Sequence, residues 1–318
     1  MSSTTSHMSL RDCTDVSPFC PVSATVLGYY PNLGSGIFFA LAFGLLLLAS
    51  LILGIWKRTY TYCLGLTLGL ILEMAGYVGR ALLHHNPWAE GPFDLQITAI
   101  ILAPSFICVS IYLTLKHVAI TLDPAASRLR PKWYPIIFLP ADLSCLVVQA
   151  AGGGIAAGNK TNHAAQVAGN RAIMAGVVLQ VVVLLIFGGL SADYFVRLRR
   201  RMAAGQAPPS AARMWDDANF RKFVFAVLAA YTLIFIRCIY RIAEMAGGWG
   251  NTIMQDEPSF LVLDSSLMLV ASAILTIVHP GIFFPQMSKG RGAKQAAGVG
   301  ETSASSGDVT PAPEKTSN

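Results

Sequence analysis

Arg237, Arg241 and Glu244 lie at i, i+4 and i+7 in an otherwise apolar run, and Asp264 lies in the next one. Helical geometry puts the first three on one face. Glu73 and Arg80, then Asp142 and Gln149, sit in earlier apolar runs, and the last run ends at His279-Pro280-Gly281. A charge at the middle of such a segment costs about 2.5–3.5 kcal/mol on insertion scales, so these groups are expected to pair or to face an interior path. Mixed acids and bases in hydrocarbon suit two tasks: fixing helix register, or receiving a cationic or zwitterionic head group. Both roles are open for Glu73 and Arg237. No apolar run holds two histidines, so the several ligands at one depth that an intramembrane zinc hydrolase needs are not offered, and no catalytic or metal-binding residue is assigned. No Walker A motif is present, which leaves facilitated or proton-coupled movement, with Glu73 as the candidate proton carrier, and no cofactor.

The elements that must position these groups follow from composition. The chain has 318 residues, 54% hydrophobic and 13% charged, where soluble domains carry about a quarter charged residues. Mean hydropathy is +0.54. The apolar residues fall in continuous blocks long enough to cross a bilayer, which predicts helices rather than a β-barrel. Seven spans are predicted, at about 34–56, 62–83, 95–119, 133–155, 172–196, 223–246 and 260–284, with a kink at Pro104 in the third. The expected class is an all-α seven-transmembrane bundle covering 34–285. A polar, mostly irregular segment (1–33) precedes it and a disordered tail (286–318) follows.

The formal charge of +6 sits in short loops beside the spans, which topology explains without nucleic acid as a partner. Lys57-Arg58, Arg128–Lys132, Arg197–Lys222 and Lys289/Arg291/Lys294 fall on one side, so the N-terminus is expected outside and the C-terminus in the cytosol. Asn159-Lys160-Thr161 is the chain's one glycosylation sequon and lies in a loop expected outside, making Asn159 a glycosylation candidate. Cys13 and Cys20 form a candidate disulfide if their segment faces an oxidising space. Cys63, Cys108, Cys145 and Cys238 are expected to be small packing residues. Trp88 and Trp249 on one side, and Trp56 and Trp133 on the other, look like interfacial anchors.

Glu73-Met74-Ala75-Gly76 recurs as Glu244-Met245-Ala246-Gly247, and Ser110…Leu113-Thr114…His117 recurs as Ser272…Leu275-Thr276…His279. An even number of crossings separates the copies, which predicts a parallel repeat of three helices, one helix, then three. At 1.5 Å per residue, Glu73 and Arg237 lie roughly 14–15 Å deep and are expected to pair. Arg80, Arg241, Glu244 and Asp264 lie within roughly 3–7 Å of the outer boundary and are expected to form a second network, with Arg80 and Glu244 structural or snorkelling. Asp142 and Gln149 are candidates to join the interior. His279, before Pro280, is expected to cap a helix end, with gating as the alternative.

Arg…Tyr-Arg…Glu…Gly-Gly, a loop containing Glu257, then Leu263-Asp264…Met268 and His279-Pro280-Gly281 form a pattern that resembles the fungal lipid-translocating exporters, the RTA-like proteins of aminocholesterol resistance and long-chain-base export. Tyr134-Pro135…Phe138…Ala141-Asp142…Gln149…Gly152-Gly153 and Glu73…Gly76-Tyr77…Arg80 resemble the same family. The resemblance covers roughly residues 60–284. It implies seven spans, a plasma-membrane location, and export or flipping of amphipathic lipids or lipid-like toxicants, with membrane lipids as partners. It implies no enzyme activity. The alternative is a seven-helix lipid or stress sensor that moves nothing.

Overall fold

The structure is a computed structural model; it describes residues 13–158, 162–248 and 250–284. The helices are α1 (Leu33–Trp56), α2 (Tyr60–Leu83), α3 (Glu90–Thr121), α4 (Trp133–Gly158), α5 (His163–Ala203), α6 (Pro209–Asp216), α7 (Ala218–Ala246), α8 (Glu257–Phe260), α9 (Leu267–Ile277) and α10 (Pro280–Phe283). A π-helical segment, Leu261–Ser266, joins α8 to α9. Seven segments are long and apolar enough to cross a membrane, the seventh running from α8 through α10. Among the described residues there is no β-strand, only an isolated bridge between Ser17 and Cys20. The chain is a seven-helix membrane protein. Its spans match the predicted ones in number and centre, but α3 and α5 extend well beyond the apolar blocks because polar residues continue the backbone ladder outside the hydrocarbon.

The spans pack as a closed ring. α1 lies on α2, α2 on α3, α3 on α4, α4 on α5, α5 on α7, α7 on α9, and α9 returns to α1. α1 shows why the ring forms. Gly36, Phe39, Phe43, Ser50 and Gly54 are buried, whereas Leu41, Leu45, Leu48, Ile52 and Ile55 are exposed. Both faces are apolar, so the hydrophobic effect does not choose between them; small residues and close packing do.

Glycines set the two closest seams. On α2, a Cβ at Gly69 would stand 2.3 Å from Ile107 and 3.0 Å from the Ala103 carbonyl, and one at Gly79 would stand 2.8 Å from the Pro92 carbonyl. Between α4 and α5, a Cβ at Gly152 would meet the Gly169 carbonyl at 2.7 Å, and one at Gly169 the Gly152 carbonyl at 2.6 Å. Backbone meets backbone there, so neither side can give way. Gly153 has nothing within 4 Å of that position.

Pro104 does not end α3, which runs unbroken through it. Residues 13–32 of the N-terminal segment are mostly irregular but tied down. Cys13 and Cys20 are disulfide-bonded, Asn86 donates to the Thr14 carbonyl and to Asp15, and Trp88 Nε1 donates to the Cys20 carbonyl. Trp88 thus also holds this segment, while Trp56 and Trp133 are exposed. Asn159 with its sequon, Trp249, and the tail from residue 285 lie outside the described residues.

The seam predicts a contrast. Gly169→Val is expected to lower thermal stability in detergent sharply and to reduce folded yield, whereas Gly153→Ala is expected to shift it by less than about 1 kcal/mol. Equal shifts in a melting experiment would show that the α4–α5 approach is not close.

Candidate functional site

Glu73, Arg80, Asp142, Gln149, Arg237, Arg241, Glu244, Asp264 and His279 are all buried, each at most 5% exposed. They do not form one network. The structure sorts them into five, with Glu73 beside the largest, and the expected pairs are redrawn.

The largest lies between α7 and the π-helical segment. Asp264 takes both arginines, with Arg237 Nε at 3.0 Å and Arg241 Nε at 3.1 Å from the same oxygen. Neither N–H bond is directed well enough at that oxygen to be a hydrogen bond, so the contacts are ionic. Arg241 also donates to Glu244 Oε2 at 2.5 Å, one turn along the same helix. The π-helical turn positions Asp264: an extra residue in the turn re-aims the side chains around it, as at many functional sites. Arg237 spans the bundle and donates from Nη2 to the Ile100 carbonyl at 2.7 Å. That carbonyl is free for a local reason. Its helical partner would be the N–H of residue 104, and residue 104 is proline. Pro104 thus exposes the acceptor that holds Arg237.

The expected Glu73–Arg237 pair is not formed. Glu73 is fully buried on α2, within electrostatic reach of Arg237, Arg241 and Asp264, but neither carboxylate oxygen has a hydrogen-bond partner. Asp264 is a better partner for Arg237 because α7 and α9 pack directly on each other. The expected separation into a central and an outer layer fails for the same reason, since Asp264 joins Arg237 to Arg241.

Arg80 belongs elsewhere. Its Nη2 donates to Glu257 Oε1 at 2.7 Å and to the Tyr29 hydroxyl at 3.0 Å, and its guanidinium lies 4.6 Å from the Phe260 ring centre. Glu257 Oε1 also accepts the Asn32 N–H at 2.9 Å. Burial raises the Tyr29 phenol above its usual range and the Arg80 charge opposes this, so the hydroxyl stays protonated as an acceptor for Arg80. Arg80 does not snorkel. It latches α2, α8 and the N-terminal segment together.

Asp142 accepts the Tyr112 hydroxyl at 2.6 Å and takes no part in the arginine cluster. Gln149 donates to Gln180, which donates to Ser105, joining α4, α5 and α3. Gln149 and Gln180 do share a cavity of about 10 Å³ with Arg237 and Arg241, room for at most one water molecule. His279 starts α10 and does not terminate a helix: its Nδ1 accepts the Gly281 N–H at 3.1 Å, before Pro280 at the first helical position. Its ring also meets Thr59, on the turn between α1 and α2, and the Tyr62 ring in the first turn of α2. Among the described residues no cluster of metal-ligating groups occurs.

Tyr29, Tyr112, Gln180 and Ser105 were not picked out by sequence reasoning. Gln180 was findable, because a lone amide in an apolar span invites the same question as a charge. Tyr112 was not, since tyrosine is ordinary in such helices.

Comparison with known proteins comes to the same place. A family model described as RTA1 like protein matches residues 66–287. The sphingoid long-chain base transporter RSB1 of Saccharomyces cerevisiae (strain Lalvin EC1118 / Prise de mousse) is 30% identical over 81% of this chain and 74% of its own. Protoporphyrin uptake protein 1 of S. cerevisiae is 27% identical over 68% and 67%. The probable lipid transporter atnI of Emericella nidulans is 24% identical over 83% and 73%. No solved structure matches.

Two stability measurements test the redrawn pairs. Asp264→Asn strands two buried arginines and is expected to cost about 3 kcal/mol, whereas Glu73→Gln breaks no contact and is expected to be neutral or stabilising. Arg237→Met orphans the Ile100 carbonyl. Adding Pro104→Ala supplies an N–H to it and is expected to restore about 1 kcal/mol, read as coupling in a double-mutant cycle of melting temperatures.

Proposed function

The chain belongs to the RTA1 like protein family, and on that footing we propose that it carries an amphipathic lipid with a cationic head group across the membrane, a sphingoid long-chain base being the model substrate. The names of its relatives include a lipid and a long-chain-base transporter, which supports a lipid-transporting membrane protein and not an enzyme. A relative named for protoporphyrin uptake widens the chemistry to amphiphiles in general, so the head-group preference is argued from this chain's own residues.

One observation carries that preference. The cluster between α2, α7 and α9 holds three acids, Glu73, Glu244 and Asp264, against two bases, Arg237 and Arg241. Arg80 does not redress the balance, because Glu257 holds it. Fully ionised, the cluster is one positive charge short, and the shortfall falls on Glu73, the carboxylate without a partner. A buried carboxylate in a low-dielectric interior takes a proton or a cation. The ammonium of a long-chain base supplies that cation, with three donors for the two idle oxygens. The apolar walls accept the tail without cost. The adjoining cavity is too small for a head group, so substrate entry requires the helices to part, as in alternating access. Export from the plasma membrane, flipping between leaflets, and resistance to amphipathic toxicants belong to this proposal as its physiological side.

Purified protein in sealed vesicles, with a labelled sphingoid base added to one face, provides the test. The wild type is expected to speed transfer between leaflets. Glu73→Gln is expected to slow it about tenfold or more, the loss that follows from one charge-assisted hydrogen bond. A wild-type protein that moves no lipid would favour the sensor reading, and a Glu73→Gln variant as fast as wild type would remove the carboxylate from the mechanism.

A further inference from the structure

A second candidate site lies away from the charge cluster. A cavity of about 220 Å³ opens between α3, α5, α6 and α7, walled by Ile111, Leu115, Phe187, Val224 and Leu228. It is open sideways, toward the hydrocarbon, where Val196, Phe225 and Leu228 are exposed. Arg199 is the one charged residue in its lining, and Trp215 of α6 stands beside it, the ring centre 5.9 Å from the guanidinium.

Three of the neighbouring cations are already neutralised, and Arg200, which has no ion pair among the described residues, lies outside the groove's lining. Arg197 pairs with Asp193 at 2.9 Å, Arg128 with the same carboxylate at 2.8 Å, and Arg201 with Asp123 at 2.7 Å. Arg199 has no ion pair among the described residues, and its aromatic neighbour leaves the N–H edge of the guanidinium free. α6 lies across this end with Ala211 buried, Met214 and Trp215 half-buried, and Arg213 exposed, the disposition of a helix lying in an interface.

We propose that this groove is a binding site for an anionic lipid, one acyl chain in the slot and the phosphate on Arg199, drawn from the leaflet at the C-terminal end of α5. Charge complementarity selects the occupant: a slot with one free cation and no acid attracts an anionic head and repels the amine of a long-chain base. The ligand is therefore chemically distinct from the substrate assigned to the Glu73 cluster, and neither assignment depends on the other. By the distribution of basic loops, that leaflet is the cytosolic one.

Trp215 is a built-in reporter. The full chain, with its other four tryptophans replaced by Phe, is placed in vesicles containing phosphatidylserine or phosphatidylcholine with brominated acyl chains, which quench nearby indoles. Brominated phosphatidylserine is expected to quench Trp215 at about a fivefold lower mole fraction than brominated phosphatidylcholine, the effect of one basic contact near a membrane surface. Arg199→Gln is expected to abolish the preference. Arg200→Gln, which removes a charge outside the groove, is expected to leave it, and Ala192→Phe, which fills the slot, to reduce quenching by both lipids. Equal quenching of the Arg199-containing protein by the two lipids would overturn the site. So would a preference that survives Arg199→Gln, or quenching that survives Ala192→Phe. Native mass spectrometry of the five-tryptophan protein answers the same question without the tryptophan replacements. Phosphatidylserine should be retained over phosphatidylcholine by wild type and Arg200→Gln but not by Arg199→Gln, and equal retention by all three overturns the site. Glu73→Gln should leave every one of these readouts unchanged, so failure here and failure of the transport proposal are told apart.

Discussion

Asp264 is the point on which the interior depends. One carboxylate, fully buried, faces two arginines from the adjoining helix, and one of those arginines reaches across the ring to α3. In an apolar interior neither charge sign is tolerable alone, so each group fixes the position of the others. Two backbone irregularities make the arrangement possible. The π-helical turn presents Asp264 toward α7, and Pro104 leaves the Ile100 carbonyl without a helical donor. The N–H that proline lacks weakens a helix locally, and here the freed acceptor holds a guanidinium.

The duplicated motifs show how one pattern acquires two uses. Thr114 and Thr276 each donate to the carbonyl of the serine four residues before, Ser110 and Ser272. Beyond that the copies diverge. The Ser110 hydroxyl donates to the Tyr62 carbonyl, whereas the Ser272 hydroxyl has no hydrogen-bond partner. Glu244 is held by Arg241 on its own helix, while Glu73, its counterpart, has no arginine one turn away and stays unpartnered. The repeat places two acids in the interior, and the residues around each leave only one of them free.

Polar groups outside the arginine cluster have their own partners. The Arg80–Glu257 latch, the Tyr112–Asp142 contact and the Gln149–Gln180–Ser105 chain each engage their groups away from the arginine cluster, with Arg80 Nε, Asp142 Oδ1 and Gln149 Oε1 left without a hydrogen-bond partner. On the α5 side, acids neutralise Arg197, Arg201 and Arg128 but neither Arg200 nor Arg199, the cation in the slot's lining. Glu73 in the core, whose carboxylate has no hydrogen-bond partner, and Arg199, a base without an ion pair that lines an apolar slot, are two places where a ligand would complete the electrostatics.

The number of spans and the set of buried polar residues were decided by the sequence itself. An apolar run near bilayer length has few alternatives to a helix, and a charge within one has few alternatives to the bundle interior, so Glu73, Arg237, Arg241, Glu244 and Asp264 were identifiable from composition and spacing. Which charge meets which was decided only by the tertiary structure. Equal depth suggested Glu73 for Arg237, but depth along a helix axis says nothing about rotation around it or about which helix is the neighbour. The packing of α7 on α9, the re-aimed turn at Asp264 and the carbonyl freed by Pro104 are relations between segments far apart in the chain. They gave Arg237 to Asp264 and left Glu73 bare.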